Sequence, residues 1–147
     1  MSQESAVETT IERLIATPPG TQQAVEQALG IPLRMTEDNG DWRQFEAANA
    51  LASVIARVDY RLPVSAEAKS EGPHLVVEFG EECPSLDTIR TRFGPLQAGA
   101  PPSPHAKNGT GYFDRSYAWG RVSFGYRFLA PHCLSSVVVD VTKSHRG

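Results

Sequence analysis

The sequence predicts an α+β fold: two tandem units, each a short helix followed by a three-stranded antiparallel meander, with an extra N-terminal helix. The first observation behind this is a shared grammar. Residues 21–33 and 83–96 each run through a small hydroxyl cap and a short amphipathic helix to Gly, Pro and Leu. Val25 matches Ile89, Leu29 matches Phe93, Gly30 matches Gly94, Pro32 matches Pro95 and Leu33 matches Leu96. Gly after an apolar helical residue is a left-handed helix stop, and Pro just beyond keeps the helix from resuming. The second observation is spacing. Gly30 and Gly94 stand 64 positions apart, Tyr60-Arg61 and Tyr126-Arg127 66, and Val76-Val77-Glu78 and Val138-Val139-Asp140 62. The third is that strand-like alternation returns after each helix. The 147 residues therefore read as a single domain, 1–147, built from two repeats at about 5–80 and 83–142.

Residues 5–16 read as a helix with Val7, Ile11, Leu14 and Ile15 on one face. Glu4, Glu8 and Glu12 fill its first turns, where the helix dipole favours negative charge. Residues 17–20 end it, and Thr21 caps the next helix, which stops at Gly30. Residues 35–41 read as a polar turn around Asn39-Gly40, and 41–48 as a strand carrying Trp42 and Phe45. In the next strand Val54, Ala56, Val58, Tyr60 and Leu62 alternate with Ser53, Ile55, Arg57, Asp59 and Arg61, the pattern of a sheet buried on one face. A charged loop at 65–72 leads to a third strand at 74–79. After the second unit's helix, residues 97–111 read as a loop rich in Pro, Gly, Ala and Ser, and loops of that length are often functional. Strands are expected at 112–119, 121–128 and 134–142. Each helix would cover the apolar face of its own three strands, and the two sheets would join edge to edge.

A composition of 40% hydrophobic and 21% charged residues is that of a globular chain. A formal charge of -3 argues against nucleic-acid binding, which leaves a basic footprint. No apolar run approaches the ~20 residues that span a bilayer, so no transmembrane segment is expected. Residues 1–5 have neither the basic start nor the apolar core of a signal peptide. As written, the sequence predicts a cytoplasmic protein, or a periplasmic one if Met1 replaces a removed leader. Cys83 and Cys133 lack metal-site spacing. They read either as two free thiols or as one disulfide, and a disulfide would point to an oxidising compartment.

Leu29-Gly30-Ile31-Pro32 with Trp42 after it, and Phe93-Gly94-Pro95 with an aromatic strand from Tyr112, carry a resemblance. A helix pair ending in Leu-Gly-x-Pro before an antiparallel meander resembles BamE, the small lipoprotein family of the outer-membrane barrel assembly machinery. Tandem copies of such a unit resemble the β-lactamase inhibitor proteins. That resemblance implies two units placing a concave sheet against an enzyme. The chain departs from both: residues 1–5 hold no lipid-attachment cysteine, and the two cysteines are not arranged as one bridge per unit.

His74, His105, His132 and His145 share no short spacing with one another or with carboxylates, so neither a metal site nor a cofactor is expected. His132 and Cys133 are adjacent, but neighbours in a strand point to opposite faces, which does not set a base beside a nucleophile. Glu78 and Asp140 hold matching strand positions opposite the apolar face; they read as solvated residues ahead of an acid–base pair. Gly109-Thr110-Gly111 precedes a strand and is too short for a phosphate loop. The interaction candidate is the group Tyr112, Phe113, Arg115, Tyr117, Trp119 and Arg121, with His105 and Lys107 from the long loop. Alternation sets Phe113, Arg115, Tyr117 and Trp119 on one face and Tyr112, Asp114 and Ser116 on the other. Trp, Tyr and Arg are enriched at binding hot spots. The plainer reading is that Phe113, Tyr117 and Trp119 fill the core under the second helix. Arg115 counts against it, because a buried guanidinium needs a partner.

The function expected from these features is non-enzymatic: an immunity-type inhibitor that occludes a bacterial toxin or hydrolase, acting as monomer or homodimer. The occluding surfaces would be the 97–111 loop and an exposed aromatic sheet face. Acidic net charge suits electrostatic steering of a basic partner. A second class is an envelope assembly scaffold, and a third is a small enzyme using His105 or His132 with Cys133.

Overall fold

The computed structural model describes residues 6–47, 54–80, 82, 84–99, 110–127 and 133–142. The helices are α1 (Ala6–Ala16), α2 (Gln22–Leu29) and α3 (Leu86–Phe93). The strands are β1 (Leu33–Asp38), β2 (Trp42–Ala47), β3 (Ile55–Pro63), β4 (His74–Phe79), β5 (Gln97–Gly99), β6 (Thr110–Tyr117), β7 (Gly120–Arg127) and β8 (Leu134–Val141), with a 3-10 turn at Ala68–Ser70. The fold is α+β, with one antiparallel sheet of eight strands in the order β1-β2-β3-β4-β8-β7-β6-β5. No helix among the described residues is long and apolar enough to cross a membrane.

Helices α2 and α3 are each 8 residues long, too short to persist alone. Both survive through the same devices. The hydroxyl of Thr21 accepts from the Ala24 amide and that of Ser85 from the Thr88 amide, so each start is capped. Gly30 at φ 69 and Gly94 at φ 87 end them, their amides donating to Glu26 and Arg90 carbonyls. Val25 and Leu29 of α2, and Ile89 and Phe93 of α3, are buried against the sheet. Helix α1 buries Val7, Ile11 and Leu14, and the Glu82 carboxylate accepts from the Ala6 and Val7 amides at its start, each at 3.2 Å.

One apolar cluster joins the three helices to one face of the sheet, with Phe45, Tyr60, Leu75, Val77, Phe124 and Val139 among its members. Two phenols tie strands to helix starts. Tyr60 Oη donates to the Pro19 carbonyl at 2.9 Å and Tyr126 Oη to the Ser85 carbonyl at 3.2 Å. At the centre β4 pairs with β8, and Val76 lies directly opposite Val138.

Three expectations need correction. The sheet has eight strands, two more than the sequence announces. Residues 33–38, mostly expected as turn, form β1; only Leu33 is buried there, so an edge strand shows no alternation to read. Gln97–Gly99, expected as loop, pairs with β6 as β5. In β3 a register shift between Ile55 and Arg57 breaks the expected parity. An irregularity of that kind moves the side chains before it to the other face, so Val54 and Ile55 are buried and Ala56 is exposed.

Candidate functional site

Cross-strand neighbours in an antiparallel pair share a face, so the register sorts the expected interaction residues. Phe113 lies opposite Phe124, and the Phe124 ring is 5.7 Å from Phe93 of α3. The face of Phe113, Arg115 and Tyr117 is therefore the one that the helices cover. Arg90 of α3 stands over the Phe113 ring at 5.7 Å. Trp119 follows in the turn before β7, is 8% exposed, and stacks on Tyr117 at 5.3 Å. Trp119 is thus core, and Phe113 and Tyr117 pack against the core, as the plainer reading of these residues has it.

Arg115 does not contradict this packing. Its guanidinium sits over the Tyr117 ring at 5.2 Å and beside the last turn of α3, where a Cβ at position 94 would come within 2.3 Å of Nη1. A cation there meets the negative end of the helix dipole as well as an aromatic face. Glycine at 94 serves both the positive φ of 87 at the helix end and this close approach. His105 and Lys107 lie outside the described residues, as do His132 and His145.

The other face of the sheet carries the polar set, and three cross-strand rows compose it. One runs Tyr112, Gly125, Ser136, Glu78, Arg57. The next runs Asp114, Ser123, Val138, Val76, Asp59, Glu46. The third runs Ser116, Arg121, Asp140, His74, Arg61, Gln44. Of the expected residues that are described, only Tyr112 and Arg121 stand on this face.

Charge on it is organised by pairing. Arg57 bonds Glu78 at 2.9 Å and approaches Asp59 at 3.7 Å. Arg61 lies 3.9 Å from Asp59. Asp140 is bound by His74 Nδ1 at 2.5 Å and faces Arg121 at 3.6 Å, while Arg121 reaches Asp114 at 3.7 Å. Glu78 and Asp140 thus hold guanidinium or imidazole groups in place, which agrees with outer-face carboxylates. The two halves differ in access. Over β7 and β8, Ser123, Val138 and Ser136 are buried, whereas over β3 and β4 the side chains of Arg61 and His74 are 55% and 28% exposed. Burial raises the Tyr112 phenol above its ordinary value, with Glu78 adding to the effect.

Cys133 is disulfide-bonded, so it carries no thiol for nucleophilic chemistry; Cys83, the other cysteine of the sequence, lies outside the described residues. Among the described residues no group of three or more His, Cys, Asp or Glu side chains is arranged to hold a metal ion. Comparison with protein-family models, curated proteins and solved structures finds no match to this chain.

The sequence reading missed the polar face as a site, although its signal was present. Arg57, Asp59 and Arg61 alternate with buried residues, and His74 and Glu78 do the same one strand later. What the sequence lacked was the register that brings Arg61, His74, Asp140 and Arg121 into one row.

Proposed function

We propose that this protein is a non-enzymatic binding protein, of the inhibitor or immunity type, that docks a protein partner on the polar face of its sheet. One observation carries the reading: the helices cover one face, while the opposite face over β2–β4 carries Trp42, Arg57, Arg61 and His74, with Arg61 directly opposite His74. Trp and Arg are among the residue types enriched at binding hot spots. The occluding surface is this face rather than the Trp119 side.

The same reading treats the chain as two copies of one unit, with four strands each rather than three. Several features support it. Strand order mirrors about β4 and β8, the two helices match in length and caps, and each tyrosine tie spans 41 residues. The Cys133 disulfide suits an oxidising compartment, where a secreted toxin or hydrolase would be met.

Capture of partners from the protein's own source with a tagged chain, identified by mass spectrometry, tests the reading. A stoichiometric toxin or hydrolase whose activity falls on binding supports it. Recovery of envelope assembly proteins instead would replace it with the scaffold reading.

A further inference from the structure

We propose that the protein forms a two-fold homodimer in which the edge strand β1 pairs antiparallel with β1 of a second copy, Arg34 standing opposite Glu37 across the junction. The inference goes beyond the docking face and does not depend on it. Strand β1 ends one side of the sheet and pairs with β2 alone, so its outer row of backbone donors and acceptors has no strand beside it. Residues 34–38 are all exposed. Met35, at 50%, is the large apolar side chain left exposed among the described residues. The opposite edge, β5, is three residues long and offers no comparable ladder.

Charge chooses the occupant. Among the described residues Arg34 and Glu37 are held in no ion pair, unlike Asp38, which Arg43 binds at 3.1 Å. Register sets both on one face. Arg34 lies opposite Glu46 and Glu37 opposite Gln44, in the polar rows, while Met35 lies opposite Phe45 on the helix-covered side. Three positions apart in a regular strand, Arg34 and Glu37 would point to opposite faces. The register shift between Met35 and Glu37 brings them to the same one.

Directly opposed residues of an antiparallel pair share a face. A copy turned about an axis through the Met35–Thr36 junction, perpendicular to the sheet, therefore sets Arg34 against Glu37 twice. Leu33 and Asp38 also match, since Ala47 and Arg43 opposite them lie on the helix-covered side. A bulge on an edge strand ordinarily discourages pairing. Here it makes this one register self-complementary. Opposed Cβ atoms stand about 4.5–5.5 Å apart, within reach of a guanidinium–carboxylate bond. A foreign strand of uniform charge would satisfy Arg34 or Glu37, whereas a second copy satisfies both. The two Met35 side chains come to flank the axis, and both polar faces lie on the same side of the joined sheet.

Sedimentation equilibrium of the full chain over a concentration series tests the proposal. A pair of six-residue strands is a small interface, so the expected result is a weak, reversible dimer whose mean mass climbs from 16.0 kDa towards twice that. Arg34→Glu and Glu37→Arg should each weaken association about tenfold, because each turns two symmetry-related pairs from opposite to like charge. The double variant should restore association to within about threefold, and an equimolar mixture of the two single variants should associate more tightly than either alone. Both sites are exposed, and retained amide dispersion in NMR shows that each variant is folded. A mass that stays at 16.0 kDa up to about 1 mM, or a dimer that both single reversals leave intact, overturns the proposal. So does protection of the β1 amides by a captured foreign partner while the free chain stays monomeric.

Discussion

The phenol of Tyr126 donates to the Ser85 carbonyl at 3.2 Å across 41 residues of chain, the same separation that joins Tyr60 to Pro19. Each bond fixes a strand to the start of the helix that covers it. Removing either hydroxyl leaves a carbonyl without its partner, so Tyr60→Phe and Tyr126→Phe should each cost about 1–2 kcal/mol in chemical denaturation.

The same phenols predict an alkaline limit. Burial raises both above the ordinary tyrosine value of 10.0, with charges of Arg90 and Glu8 as lesser influences at Tyr126. A raised folded pKa means that the native state keeps protons which the unfolded state loses. Stability is therefore whole below pH 10 and falls as pH rises beyond it. Denaturation midpoints followed from neutral pH upward should decline from about pH 10. The double Phe variant should decline less steeply.

Trp119→Ala should destabilise the fold by about 3–5 kcal/mol, the usual cost of emptying a large aromatic site. The reason is its burial and its stacking on Tyr117. Arg61→Gln, in a side chain 55% exposed, should change stability by less than about 1 kcal/mol. Thermal melts of the two variants separate core from surface, and partner titration of the folded fractions should show the larger loss for Arg61→Gln.

Gly72 stands at φ 81 before β4, where a Cβ would fall 1.8 Å from the Val141 carbonyl oxygen. Backbone rather than a movable side chain fills the space. Gly72→Ala should therefore cost more than the ~1 kcal/mol of an ordinary glycine substitution and disturb the end of β8. Amide exchange at Val141, which donates to Pro73 at 3.1 Å, should accelerate selectively.

Arg92 of α3 binds Glu12 of α1 at 3.0 Å and holds that carboxyl below its ordinary value of 4.5. A lowered folded pKa gives a contribution present above pH 4.5 and lost as pH falls through the folded value. The acid side of the stability profile should flatten in Arg92→Gln, measured by denaturation from pH 6 downward.

Much of this architecture was legible because it is written in local signals. Thr21 with Gly30, and Ser85 with Gly94, bracket their helices by cap chemistry that needs no tertiary context. Alternation disclosed β3 and β4 because those strands have one buried face, and β7 because its large apolar side chains face the helices while Arg121, Ser123 and Gly125 face the other way. Leu33–Asp38 and Gln97–Gly99 escaped because edge strands bury little, and their pairing with β2 and β6 is nonlocal. The side of the sheet that the aromatic set occupies was hidden in the same way. Aromatic content drew attention to Phe113, Tyr117 and Trp119, yet composition cannot tell which face of β6 lies under α3. The row of Arg61, His74, Asp140 and Arg121 joins four strands from both halves of the sequence. No short window contains it.

The central claim is that a partner docks on the polar face of β2–β4. Hydroxyl-radical footprinting of the captured complex tests it directly, because Trp42, His74 and the core residue Trp119 are all reactive side-chain types at distinct positions. We predict that complex formation lowers labelling at Trp42 and His74 relative to the free chain and leaves Trp119 unchanged. Unchanged labelling at Trp42 and His74, with protection confined to residues of α1, α2 or α3, would contradict it.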